Sequence, residues 1–256
     1  MMRIQRAMLI LAAGLLGSLI TGGCWADDAI EVVKAQGDVA ITQQDQPERK
    51  VFTRSVLPAR HYLVTGPNGR AVVKVGDVGL IVVEKNSKIE IDKSGDYAGL
   101  FRHVTGMIYY ALNTIQGSRR GVGVRTTTAV MGVRGTRFLV VDLPERKEVG
   151  MRKGLLSVTS PGEAYEIHRQ EVEDEFEAFK KEASDAIAEE KRSFSEYKAK
   201  TQREFIEFKR EFALGADRMA SFDGNVVTER ALSEESGKDM ESLENYAAEW
   251  LKEVHD

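Results

Sequence analysis

The chain has 256 residues, 42% of them hydrophobic and 30% charged, enough apolar side chain to bury the core of one or two domains. Its formal charge of −4 hides an uneven split: +2 over residues 1–26, +4 over 27–168 (20 basic, 16 acidic) and −10 over 169–256 (14 basic, 24 acidic), which argues for two physically distinct parts. Cys24 is the single cysteine, so internal disulfides are excluded and an oxidising compartment adds nothing covalent to the fold.

Residues 1–26 read as an export signal. Arg3 and Arg6 form a basic head, and 7–20 is an apolar run too short for a comfortable membrane span. Two processing routes fit. Cleavage after Ala26 releases a soluble periplasmic protein. Alternatively Ile20-Thr21-Gly22-Gly23-Cys24 resembles a lipobox, with Thr21 where Leu is usual. Acylation of Cys24 then tethers the protein to the outer membrane.

Residues 27–162 read as an all-β domain, a sandwich or a solenoid-like stack of short strands separated by turn signals. Strands over 30–35 and 39–42 are joined at Gln36-Gly37-Asp38. Strands over 61–65 and 70–75 flank Gly66-Pro67-Asn68-Gly69, where proline pre-sets a turn and Asn-Gly supplies positive φ. Further strands are expected over 79–84, 88–91, 101–112, 149–152 and 155–159. Between strands over 124–128 and 136–141, Gly132 and Gly135 bracket a tight connection that needs positive φ.

Near Pro161-Gly162 the period changes. Over 163–214 apolar positions step by threes and fours through Phe176, Phe179, Phe194, Tyr197, Phe205, Phe208 and Phe212. That spacing predicts a long amphipathic helix, possibly coiled-coil and self-associating, with an acidic outer face. Residues 215–256 read as a turn followed by a second amphipathic helix over 232–254, with Met240, Leu243, Tyr246, Ala247, Trp250 and Val254 as its stripe.

The run Ala129-Val130-Met131-Gly132-Val133-Arg134-Gly135-Thr136-Arg137-Phe138 resembles the signature of the FecR domain family of bacterial envelope proteins. Thr65-Gly66-Pro67-Asn68-Gly69-Arg70-Ala71 resembles that family's other recurring turn, and the similarity extends over about 30–168. Its motif positions are Thr65, Gly66, Asn68, Gly69, Gly132, Arg134, Gly135 and Thr136, with Arg134 and Thr136 the most specific. The resemblance implies an envelope regulatory or binding module without enzymatic activity, whose named members relay a periplasmic signal to a sigma factor. Only six residues precede the apolar run here, so a cytoplasmic anti-sigma region is not carried over.

No catalytic constellation is legible. His61, His103, His168 and His255 lack metal-ligand spacing, and there is no nucleophile elbow or phosphate loop. Neither metal nor cofactor is expected. The most distinctive charge feature is a stretch free of carboxylates between Asp96 and Asp142 that carries Arg102, Arg119, Arg120, Arg125, Arg134 and Arg137. Arginine forks bind carboxylate and phosphate, so Arg119, Arg120, Arg125 and Arg137 form a candidate anion or partner patch; alternate arginines also suit the solvated face of half-buried strands. Nucleic acid is excluded as a partner by export and by the lack of interleaved aromatics. The expected function is a non-enzymatic periplasmic protein-interaction or signal-relay scaffold with an envelope protein partner. The alternative is a binder of acidic envelope glycan or lipid through the arginine face.

Overall fold

The computed structural model describes residues 29–43, 46–92, 99–113, 122–169 and 207–254. Within them seventeen strands form two layers. The first contains β1 (Ile30–Gln36), β4 (Ser55–Leu57), β6 (Arg70–Val75), β7 (Gly79–Val83), β13 (Tyr165–Arg169), β14 (Glu207–Lys209), β16 (Arg218–Asp223) and β17 (Val226–Ala231). The second contains β2 (Val39–Thr42), β3 (Arg49–Lys50), β5 (Tyr62–Thr65), β8 (Lys88–Asp92), β10 (Val122–Arg125) and β15 (Glu211–Gly215). Three long strands belong to both layers: β9 (Gly99–Leu112), β11 (Val130–Leu143) and β12 (Arg146–Thr159).

Register defines the layers. The first runs β4-β1-β6-β7-β9-β11-β12-β16-β17-β13-β14 and the second β3-β2-β5-β8-β9-β10-β11-β12-β15. Each long strand crosses from one layer to the other at a glycine in the left-handed region: Gly106 (φ 100°), Gly135 (φ 58°) and Gly154 (φ 93°). An L side chain at these positions is strained. It would also collide, since a Cβ on Gly154 meets the Gly135 carbonyl oxygen at 2.6 Å and one on Gly106 meets Ser87 Cα at 2.5 Å.

Folding the long strands back brings their inward side chains together. Phe101 and Tyr110, on the two legs of β9, meet edge to face at 5.6 Å, and Tyr110 stacks on Phe138 of β11 at 4.9 Å. The apolar core between the layers continues without a break from Ile30 to Val227. Fully burying one such side chain is worth about 1.5–3 kcal/mol, and each aromatic pair adds about 0.5–1.5 kcal/mol.

The outer face of the first layer is also apolar: Val72, Leu80, Val82, Tyr109, Ala111, Leu139 and Val141. Two C-terminal helices cover it, α1 (Glu234–Tyr246) and α2 (Ala248–Leu251). Ser233 caps α1 by accepting from the Ser236 amide at 3.2 Å, and Glu234 and Glu235 face the positive end of its dipole. Met240, Leu243, Ala247 and Leu251 pack inward; the single helix expected over 232–254 is instead two short helices that meet at Ala247.

The long helix expected over 163–214, and the coiled coil with it, is overturned at both ends. Residues Tyr165–Arg169 are β13, while Glu207–Lys209 and Glu211–Gly215 are β14 and β15. In β15 burial alternates along Glu211-Phe212-Ala213-Leu214, the period of a strand. Phe208 and Phe212, four apart and expected on one helix face, differ completely: Phe208 is 71% exposed and Phe212 is buried. Tertiary pairing with β12 and β13 outweighs the local spacing. The middle of that stretch, 170–206, and with it most of the aromatic stripe, lies outside the described residues. The turn expected after 214 is a hairpin, β16–β17, closed at Gly224 (φ 57°).

Candidate functional site

The Thr65–Gly69 motif is a structural clasp, built where three turns meet. Thr65 is buried; its Oγ1 donates to the Glu84 carbonyl at 2.6 Å and accepts from the Ser87 amide at 3.0 Å. The Gly66 amide donates to the Asp38 carbonyl at 2.8 Å, and the Gly66 carbonyl accepts from Gly69 at 3.0 Å and Asn86 at 3.2 Å. Asn68 Oδ1 accepts from the Asp38 amide at 3.3 Å. The turns lie so close that a Cβ on Gly69 would sit 2.0 Å from the Asp38 carbonyl oxygen. Glycine is required there by contact rather than by φ. Arg70 pairs with Glu84, and its guanidinium lies 4.9 Å from the Tyr246 ring of α1.

The second motif forms one of the layer-crossing corners. Gly135 carries the positive φ that the sequence demands, whereas Gly132 is an ordinary strand residue. Residues 130–143 are therefore one bent strand with a bulge at 134–137; the antiparallel pair expected here is β10 with β11, joined at 126–129 rather than between Gly132 and Gly135. Thr136 is buried, and its Oγ1 has no hydrogen-bond partner. Of Arg134 the structure describes only the backbone.

The structure separates the candidate arginines. Arg125 lies on β10 of the second layer, opposite Arg102 in the β9 register, and Arg102 pairs with Glu90 at 3.3 Å. Arg137 lies on the first-layer limb of β11. Arg119, Arg120 and Cys24 lie outside the described residues. No group of three or more His, Cys, Asp or Glu side chains suited to a metal ion occurs among the described residues. His103 is buried; its Nε2 lies 3.1 Å from the Gly106 carbonyl and its Nδ1 3.3 Å from the Tyr110 hydroxyl. The adjacent Asp142 carboxylate accepts from Thr127 Oγ1 at 3.2 Å and pairs with Lys147.

What sequence reading missed is a basic cleft at the rim of the helix-covered face. It is open, about 550 Å³, and lined by Arg137, Arg152, Lys153, Lys252, Glu244 and Leu251, among others. Pairing of Arg137 with Lys153 across β11 and β12 gathers the cations; α1 and α2 supply the other wall. Glu244 accepts from the Tyr109 hydroxyl at 2.5 Å and lies 3.5 Å from Arg152 Nε. Burial, followed by that hydrogen bond, pushes the Tyr109 phenol well above its ordinary pKa, so it stays a donor. The cations suit an anionic side chain against an apolar wall. Strand register and the packing of the helices bring these residues together; of them only Arg137 stood in the patch read from the sequence.

A family model described as FecR protein matches residues 61–157. That match takes in both motifs singled out in the sequence. Among curated proteins none matches the chain. Two crystal structures of a "putative anti-sigma factor" from Parabacteroides distasonis ATCC 8503 match part of the chain. One, at 2.50 Å resolution, has 12% identity and a TM-score of 0.44, covering 66% of this chain and 59% of its own. The other, at 1.65 Å, has 11% identity and a TM-score of 0.46, covering 75% and 74%. This chain thus spans less than two thirds of the first. The matched segment supplies both motifs, the outer apolar face except for its helical cover, and the strand wall of the basic cleft. Helices α1 and α2 follow it in sequence.

Proposed function

We propose that the protein is an exported, non-enzymatic FecR-domain module of the bacterial envelope that binds a protein partner and relays or scaffolds a signal. The reading is supported by one observation above others. Thr65, Gly66, Asn68, Gly69 and Gly135 are taken up in holding turns and a layer crossing together, and the chemistry at the surface beside them is a charged cleft suited to recognition. The leader over 1–26 and the single cysteine fit a periplasmic protein, released or tethered through Cys24. Crosslinking in intact cells, followed by fractionation, tests this. The protein should be recovered from the envelope with a discrete crosslinked partner. Lys153→Glu with Lys252→Glu, both exposed changes, should reduce that adduct at least several-fold without shifting the melting temperature. Recovery from the cytoplasm, or an adduct indifferent to the charge reversal, overturns the reading.

A further inference from the structure

The hairpin that closes the open end of the sandwich is built unlike the rest of the surface. Strands β3 and β4 are edge strands of opposite layers, β3 pairing with β2 and β4 with β1, so the segment between them spans the gap. Val51 and Leu57 point inward and are buried. Phe52 and Val56 do the opposite, at 63% and 65% exposure, two of the three most exposed large apolar side chains among the described residues. Because Val51 and Leu57 already plug the core, the exposure of their neighbours is no failure of packing.

Around these two side chains stand three exposed cations, Arg49, Lys50 and Arg54. Lys50 Nζ lies 5.9 Å from the Phe52 ring, and Arg54 occupies the turn tip with φ 68°. The turn is closed by the Ser55 amide donating to the Phe52 carbonyl at 3.1 Å, and the Arg54 amide donates to Val32 at 2.7 Å. Glycine takes such a left-handed position without strain, and arginine does not, so a charge sits where the backbone favours a residue with none. Among the described residues two carboxylates lie near: exposed Glu48, and Glu31, which pairs in register with Val56 and, on its other side, with Lys74. Apolar tips among a local excess of cations are the chemistry of a surface that enters the headgroup region of an anionic bilayer.

Position supports the same occupant. Strand β1, the first after the N-terminal segment, is β4's partner, with Ile30 opposite Leu57 and Val32 opposite Ser55. A tether in that segment would hold this edge against the membrane. We infer that the Arg49–Leu57 hairpin is a membrane-docking edge for anionic lipid, with Phe52 and Val56 inserting and Arg49, Lys50 and Arg54 holding headgroup phosphates. This goes beyond the partner reading, and its failure leaves crosslinking through the basic cleft untouched.

Vesicle flotation tests it. The apolar run over 7–20 would itself partition, so the protein used begins at Asp27, ahead of every strand and helix among the described residues. It should float with vesicles of phosphatidylethanolamine and phosphatidylglycerol and not with phosphatidylcholine alone. Phe52→Ser with Val56→Thr should lower partitioning roughly tenfold. Arg54→Gly should lower it about fivefold, the worth of one basic residue near an anionic surface, while leaving the melting temperature equal or higher. Phe208→Ser, equally exposed but remote in register, should change nothing. No flotation, equal flotation on both lipids, indifference to the Phe52/Val56 pair, or an equal loss with Phe208→Ser overturns the inference.

Discussion

Burial takes His103 out of water, which disfavours the charged imidazolium. Nε2–H donates to the Gly106 carbonyl, and Nδ1 accepts from the Tyr110 hydroxyl. Desolvation lowers the imidazole from its usual 6.5 to about 4, opposed by the nearby Asp142 carboxylate. Between those two values the unfolded chain holds more protons than the folded one. Stability therefore falls as pH drops from about 6.5 towards 4, by up to about 3 kcal/mol from this residue. Urea unfolding of the parent and of His103→Gln at pH 7 and pH 4.5 isolates that contribution. The parent should lose more stability on acidification than the variant; parallel losses would mean that the imidazole is not held neutral.

At the scale of elements, α1 is held by apolar contact at its centre and by ion pairs around its edge. Arg146 lies 2.9 Å from Asp239, 3.2 Å from Glu235 and 2.5 Å from Glu148. Ser236, fully buried, donates to Glu148 at 2.8 Å. At the far end Lys34 Nζ donates to the Tyr246 carbonyl at 3.0 Å, and Lys74 reaches Glu253 at 2.6 Å. Exposed pairs such as Lys74–Glu253 contribute little individually, so the seal rests on Met240, Leu243, Ala247 and Leu251. Leu243→Ala should cost about 2–4 kcal/mol and raise binding of a hydrophobic dye, because loosening α1 uncovers the Val72/Leu80/Leu139 face. A loss below about 0.5 kcal/mol, within the range of ordinary surface changes, would show that the helix adds no stability there.

For the whole molecule, the crossing strands remove any seam between the family-matched segment and the strands that follow it. Strand β12 pairs with β15 and β16 as well as with β11, and the inter-layer core includes residues from Ile30 through Val227. Heating should therefore give one cooperative transition, with calorimetric and van't Hoff enthalpies in agreement. A separate early transition retaining the 61–157 structure would contradict the shared core.

Local chemistry was legible in the chain itself. Gly66-Pro67-Asn68-Gly69 marks a turn, Gly135 marks a position of positive φ, and Met240, Leu243 and Ala247 mark the inward face of the helical end, because each depends on neighbours within a few residues. Local signals also misled. Gly132 carries no special φ, and the three-and-four spacing through Phe208 and Phe212 belongs to strands. The short run Glu211–Gly215 already alternates, yet alternation over five residues cannot compete with a longer helical pattern until β12 offers it a partner. Assembly alone created the basic cleft, the split of Arg125 from Arg137 between layers, and the edge that exposes Phe52 and Val56. Each is a matter of register across strands distant in sequence, and register is fixed by which side chains fill the common core.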